Sequence, residues 1–215
     1  MSDTLTPVEA DHAMRHWTYR SEGAIPIGSA LHKRMFCEML LTTHNPYKPA
    51  VIDWPKLDPA ALRRVTSLPI WDIAVQTEGR ASIRVLTFAD TNTDPQLRDA
   101  LSMNGGEEAR HKVVLSKLVE AYGIQLAPEP PYPVPKDALR AWMLTGYSEC
   151  IDSFFAFGLF EAAWKSGYFP EELVETFEPV IQEEARHILF FRELGRVVPA
   201  HFAVVSQTVV HDEDR

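Results

Sequence analysis

The pentad EEARH occurs twice in this sequence, at residues 107–111 and 183–187. Within each copy a glutamate precedes a histidine by three positions: Glu108 with His111, and Glu184 with His187. On a helix that spacing puts both side chains on one face. A carboxylate oxygen and an imidazole nitrogen can then meet one cation, and this donor pair suits Fe(II) and also Mn(II). A single Glu-x-x-His is weak evidence, because both residue types are common on solvated helix faces. Two copies on separate long helices with apolar backing are far more specific.

A two-metal site inside a four-helix bundle also needs one acid from each of the other two helices. Residues equally far from the turn of a helical hairpin lie side by side. Glu78 and Glu108 have their midpoint at residue 93, inside the breaker TNTDP. Glu149 and Glu184 have theirs between Ser166 and Gly167, inside the turn SGYFPEE. Both pairs are therefore level. Glu161 is excluded: it stands 12 residues from Glu149, roughly 18 Å along a helix axis. Asp152 shares the face of Glu149. Glu149 is preferred because its longer side chain reaches the bundle axis more easily, which leaves open whether Asp152 replaces or supports it.

These residues must be positioned by four long helical patterns, at 68–90, 95–122, 137–165 and 170–197. Asp94-Pro95 suits an N-cap followed by proline at the first helical position. Pro179 lies inside the fourth pattern and predicts a kink or a broken first turn. The third helix is apolar almost all round, which predicts burial. A carboxylate such as Glu149 on a buried helix is costly without a partner, and four facing carboxylates repel unless cations sit between them. The sequence thus divides into an N-terminal arm at 1–67, an all-α body at 68–199 and a tail at 200–215. The arm holds helical patterns at 7–20 and 28–42. Its proline-rich stretch NPYKPAVIDWPKLDP reads as extended chain laid over the body. The arm is expected to cover the site or to form a dimer contact. Its histidines, His12, His16, His32 and His44, lack an acidic partner spaced as in EEARH and read as surface or packing residues.

Glu107 and Glu183 directly precede the ligands. A metal-bound histidine usually donates its second N–H to an acceptor, so each of these acids is a candidate acceptor for the histidine of the opposite motif. Arg110 and Arg186 are their candidate partners; ordinary surface ion pairs are the competing reading. Phe154, Phe155, Phe157 and Phe160 read as bundle core, or as the wall of a pocket for a small apolar substrate.

Composition narrows the class. A net charge of -9 argues against a nucleic-acid partner. The two cysteines, Cys37 and Cys150, suggest neither a disulfide framework nor a structural zinc site. No apolar run approaches the ~18 residues of a membrane span, and the polar start lacks a signal-peptide core. A reducing cytoplasmic setting without a membrane partner is the expectation.

The set Glu78, Glu108-x-x-His111, Glu149 and Glu184-x-x-His187 resembles the ferritin-like di-iron carboxylate superfamily over roughly residues 68–197. EEARH is most similar to motifs of acyl-carrier-protein desaturases and bacterial multicomponent monooxygenases. Departures narrow the choice. Ferritins proper lack a second Glu-x-x-His. The C-x-x-C pairs of rubrerythrins do not occur here. Leu115 stands where the small subunit of ribonucleotide reductase commonly carries a tyrosine. Ser153 stands where the monooxygenases often place threonine. The resemblance implies a ferritin-like antiparallel four-helix bundle with the six ligands above, holding two Fe ions, or Mn/Fe or Mn. It implies an oxidoreductase that activates O₂ and oxidises or hydroxylates a small organic substrate. Glu149 would shift between binding modes and Ser153 would supply a hydroxyl. An electron-donor protein and a homodimer are the further partners expected. Iron handling or peroxide removal, and a non-catalytic bundle acting through a partner, are the alternatives.

Overall fold

A computed structural model describes residues 5–197. Helix α1 spans Pro7–Arg15, α2 Ala30–Thr42, α3 Pro59–Thr66, α4 Trp71–Asp90, α5 Pro95–Ala121, α6 Ala138–Ser166, α7 Glu171–Glu175 and α8 Glu178–Leu194. No strand occurs among the described residues, as the all-α expectation requires.

Local chemistry sets the ends. The Asp94 carboxylate accepts from the Leu97 N–H at 3.1 Å, with Pro95 opening α5. The Asp137 carboxylate accepts from the Arg140 N–H at 2.9 Å and opens α6. Gly167, at φ 61°, takes the left-handed conformation that ends α6. The chain breaks between α7 and α8, and Pro179 then sits in the first turn of α8, where proline is tolerated. The anticipated broken first turn is therefore present.

Helices α4 and α5 form a close hairpin. The Ser82 hydroxyl donates to the Gly105 carbonyl at 2.8 Å. Helix α6 packs on α4 and α8, where Trp142 stacks between Phe88 and Phe191 with ring centroids at 4.9 and 5.3 Å. The chain joining α5 to α6 runs beside α4, since the Ala127 N–H donates to Asp72 at 2.9 Å and the Tyr132 ring lies over Gly79. Helix α2 packs on both α5 and α8. Two apolar clusters result. One gathers Leu40, Val85, Leu101, Trp142 and Phe190, and the other Val65, Val114, Leu118, Leu173 and Phe177. The segments 104–111 of α5 and 183–187 of α8 lie between them. Each large side chain buried this way contributes about 1.5–3 kcal/mol.

Three expectations need correction. The proline-rich stretch is extended only in part: it contains a 3-10 turn at Pro49–Val51 and runs into α3. There the Asp58 carboxylate caps the N–H groups of Ala60 and Ala61, with Pro59 at the first position, so this proline starts a helix. The first pattern of the arm gives only α1, and the first body helix begins at Trp71. Helix α6 is not buried all round. Ile151, Phe154, Phe155 and Leu159 are exposed, because α4, α7 and α8 pack on its other side. Phe160 alone of the four phenylalanines packs as core, against Phe177. The tail at 200–215 lies outside the described residues.

Candidate metal centre

Helix α5 carries Glu107, Glu108 and His111, and helix α8 carries Glu183, Glu184 and His187. All six are buried. The imidazoles of His111 and His187 face each other, with ring centroids at 5.5 Å. Ligand atoms of Glu108, His111, Glu184 and His187 lie within 4.8 Å of one another, so the four could hold a metal ion.

The two motifs interlock. His111 Nε2 lies 2.9 Å from Glu183 Oε2, and His187 Nε2 lies 2.8 Å from Glu107 Oε2. Each acid serves the histidine of the opposite motif, as the sequence suggested. The arginines cross in the same way. Arg110 pairs with Glu183, and Arg186 Nη2 meets Glu107 Oε1 at 2.6 Å. These are interior pairs, which rules out the surface reading. Burial pushes Glu107 up, but Arg186, His187 and His44 outweigh it and hold the carboxyl well below its ordinary value. Glu107 therefore stays a carboxylate and accepts a hydrogen bond from the Nε2–H of His187.

In a neutral imidazole, an N–H at Nε2 leaves Nδ1 as a lone pair. His111 Nδ1 lies 2.8 Å from Glu184 Oε1, and His187 Nδ1 lies 2.9 Å from Glu108 Oε1. With that tautomer, an imidazole lone pair faces a carboxylate oxygen at each contact. His111 Nδ1, His187 Nδ1, Glu108 Oε2 and Glu184 Oε2 are all buried without a hydrogen-bond partner. Buried acceptors in contact require a cation or a proton between them. Glu108 also lies 3.8 Å from His111, and Glu184 lies 3.7 Å from His187. Each of these carboxylates thus approaches both imidazoles.

Glu78 of α4 and Glu149 of α6 complete the cluster. Glu78 Oε2 lies 3.7 Å from His111 Nδ1. Glu149 hydrogen-bonds Glu184. Burial, then the neighbouring carboxylates, push Glu78 up to about 8 and Glu149 well above its ordinary value. Burial would lower both imidazoles, yet the surrounding carboxylates raise them well above the usual range. Burial also pushes Glu184 up, but His111 and His187 outweigh it and hold that carboxyl down. The protein field thus favours added positive charge at the centre of the cluster. Asp152 is not a seventh member: it is exposed and accepts from the Ser148 hydroxyl at 2.5 Å. Ser153 is buried, one turn beyond Glu149.

Some residues were missed from sequence. His44 Nδ1 meets Glu107 Oε1 at 2.7 Å, so this arm histidine does have an acidic partner. His32 is also buried and lies 3.3 Å from Glu193. Tyr47 stacks under Arg110 at 4.1 Å and lies 3.4 Å from Glu183 through its hydroxyl. Nothing in the sequence signals these contacts, whose partners are 63 and 136 positions away. Asn104, which donates to Glu108 Oε1 at 3.1 Å, sits one turn ahead on the same face and was in principle readable.

No helix among the described residues is long and apolar enough to cross a membrane. Comparison with family models, with curated proteins and with solved structures finds no match to this chain.

Proposed function

We propose that this chain is a ferritin-like di-iron carboxylate protein that activates O₂ to oxidise a small organic substrate. The observation that carries the reading is that both imidazole Nδ1 atoms lie within 2.9 Å of a carboxylate oxygen in a buried Glu/His cluster. Two divalent cations bring four positive charges, which match the four carboxylates of Glu78, Glu108, Glu149 and Glu184. Carboxylate and imidazole donors suit Fe(II) and Mn(II). Iron bound here would supply electrons to O₂. The protein's own residues do the rest. Glu107 and Glu183 fix both imidazole rings and their tautomers. Glu149 reaches the cluster from α6 beside Glu184, where it would serve as a ligand from the third long helix. Ser153 places a hydroxyl one turn further along the same buried face of α6.

One observation favours a second reading, iron oxidation without an organic substrate. Two surface recesses, one beside His44 and Glu107 and one beside Trp142 and Cys150, are lined by none of the six proposed ligands.

Metal analysis after anaerobic loading with Fe(II) should give two ions per chain in the wild type and a loss of both in Glu108→Ala or His187→Ala. O₂ uptake that needs an added organic co-substrate supports the oxygenase; uptake with Fe(II) alone supports iron oxidation. A wild-type chain that takes up no metal removes both readings.

A further inference from the structure

The helix that holds Glu149 and Ser153 on one side presents a different chemistry on the other. Ile151, Phe154, Phe155 and Leu159 of α6 are 57, 72, 63 and 68% exposed. Their spacing of three, four and eight positions from Ile151 aligns them in one stripe. Gly158 opens a gap within the stripe: a Cβ built there meets nothing within 4 Å. Helix α4 runs antiparallel to α6, with Phe88 stacked on Trp142. This brings Ile70 and Ile73, 46 and 67% exposed, level with the stripe.

The size of the face decides what it can be. Large apolar side chains carry roughly 150–250 Å² each, so the four on α6 leave about 500 Å² in solvent. A standard interface buries about 800 Å² per partner, of which about 65% is apolar in homodimers. The stripe therefore supplies the whole apolar core of such a contact. The chemistry argues against other occupants. Helices that lie on lipid surfaces are rich in Lys and Arg around the apolar face. Here the chain carries -9, and Lys165 beside the stripe is already paired with Glu161 at 2.6 Å. Redox encounters with donor proteins bury less area.

We propose that this face joins two copies of the chain, with α6 packed antiparallel against α6 of the second copy. A twofold contact needs a patch complementary to itself. With the axis near Ala156, Phe154 of each copy faces the gap at Gly158 of the other. The dimer contact then lies on α6 rather than on the N-terminal arm. The inference is independent of what the metal centre does.

Sedimentation equilibrium of the full-length chain tests it, with Phe154→Asp, Leu159→Asp and Gly158→Arg alongside. Gly158→Arg adds helix propensity in open space, so it keeps the fold while blocking the close approach. The wild type should sediment at twice the chain mass, and each variant should weaken the dimer by roughly 100-fold or more with unchanged helical circular dichroism. A wild type that stays monomeric at about 100 µM, or a dimer that all three variants leave intact, overturns the proposal. So does a monomer whose α6 amides lose hydrogen-exchange protection when residues 198–215 are removed, since the chain's own end would then be the occupant. A monomer that binds anionic vesicles through the stripe overturns it equally.

Discussion

Glu107 and Glu183 meet the imidazoles at Nε2, on the side away from the Glu108 and Glu184 oxygens, so their charge favours the tautomer with the proton at Nε2. Each also pairs with a guanidinium, buried at Arg186 and partly exposed at Arg110. Glu107→Gln keeps the shape and an acceptor oxygen but removes the charge that faces Arg186, His187 and His44. Two effects should follow. Metal affinity, read by competition with a chelator, should fall about 10- to 100-fold, the usual cost of losing such a partner. Global stability should also fall, by about 3–5 kcal/mol in denaturant unfolding, because Arg186 is left without its carboxylate. Unchanged affinity would show that His187 is oriented by packing alone. At this scale the sequence was most legible. Repetition of EEARH identified the four side chains whose ligand atoms come together, the level hairpin positions pointed to Glu78 and Glu149 beside them, and the crossing of Glu107 with His187 was readable because both motifs share one geometry. His44 and Tyr47 were not readable, since the path of the arm over α5 and α8 is a tertiary fact without local periodicity.

Glycine shows how each element is fitted to its neighbour. Gly105 and Gly106 are consecutive on α5, yet their surroundings are opposite. A Cβ on Gly105 would stand 2.7 Å from Leu86 Cγ and 3.3 Å from the Leu86 backbone nitrogen, whereas one on Gly106 meets nothing within 4 Å. The Leu86 backbone cannot swing aside, so Gly105→Ala must push α4 from α5 and should cost about 1–3 kcal/mol. Gly106→Ala should instead gain up to about 1 kcal/mol from lower backbone entropy in the unfolded chain. Parallel urea titrations would read both. Equal effects at the two positions would mean that the α4–α5 contact does not constrain the spacing of Glu78 and Glu108. Element boundaries were legible where proline and an N-cap residue stood together, as at Asp94-Pro95. The same pairing at Asp58-Pro59 was overlooked, because a run of prolines around it suggested extended chain. The apolar circumference of α6 was misread for a physical reason: hydrophobicity on every face is equally consistent with burial in a core and with a face turned outward.

On the scale of the whole molecule, stability and the proposed metal binding would draw on the same carboxylates. Without cations, protons must fill the cluster. Glu78 rises from an ordinary 4.5 to about 8, and Glu149 moves in the same direction. A carboxyl whose folded value exceeds its unfolded one stabilises fully below about 4.5, and that contribution is lost as the pH climbs through about 8. His111 and His187, raised above 6.5, add to the loss in the same sense. The metal-free chain should therefore melt at a lower temperature at pH 8 than at pH 6. Loading should reverse the trend, because metal ions displace those protons and bind more tightly as the pH rises. At a free concentration 100 times the dissociation constant, one such ion adds about 2.7 kcal/mol. The double variant Glu78→Gln, Glu149→Gln separates the two demands. It removes two titratable carboxyls and keeps their volume, so the metal-free form should be more stable at pH 8 than the wild type, with a shallower pH dependence. It should also lose most of its stabilisation by Fe(II) or Mn(II). Thermal melts of both chains, with and without metal at pH 6 and pH 8, give all four comparisons. If the double variant is stabilised by metal as strongly as the wild type, α4 and α6 contribute no ligands, and the cluster reduces to the two Glu-x-x-His motifs of α5 and α8.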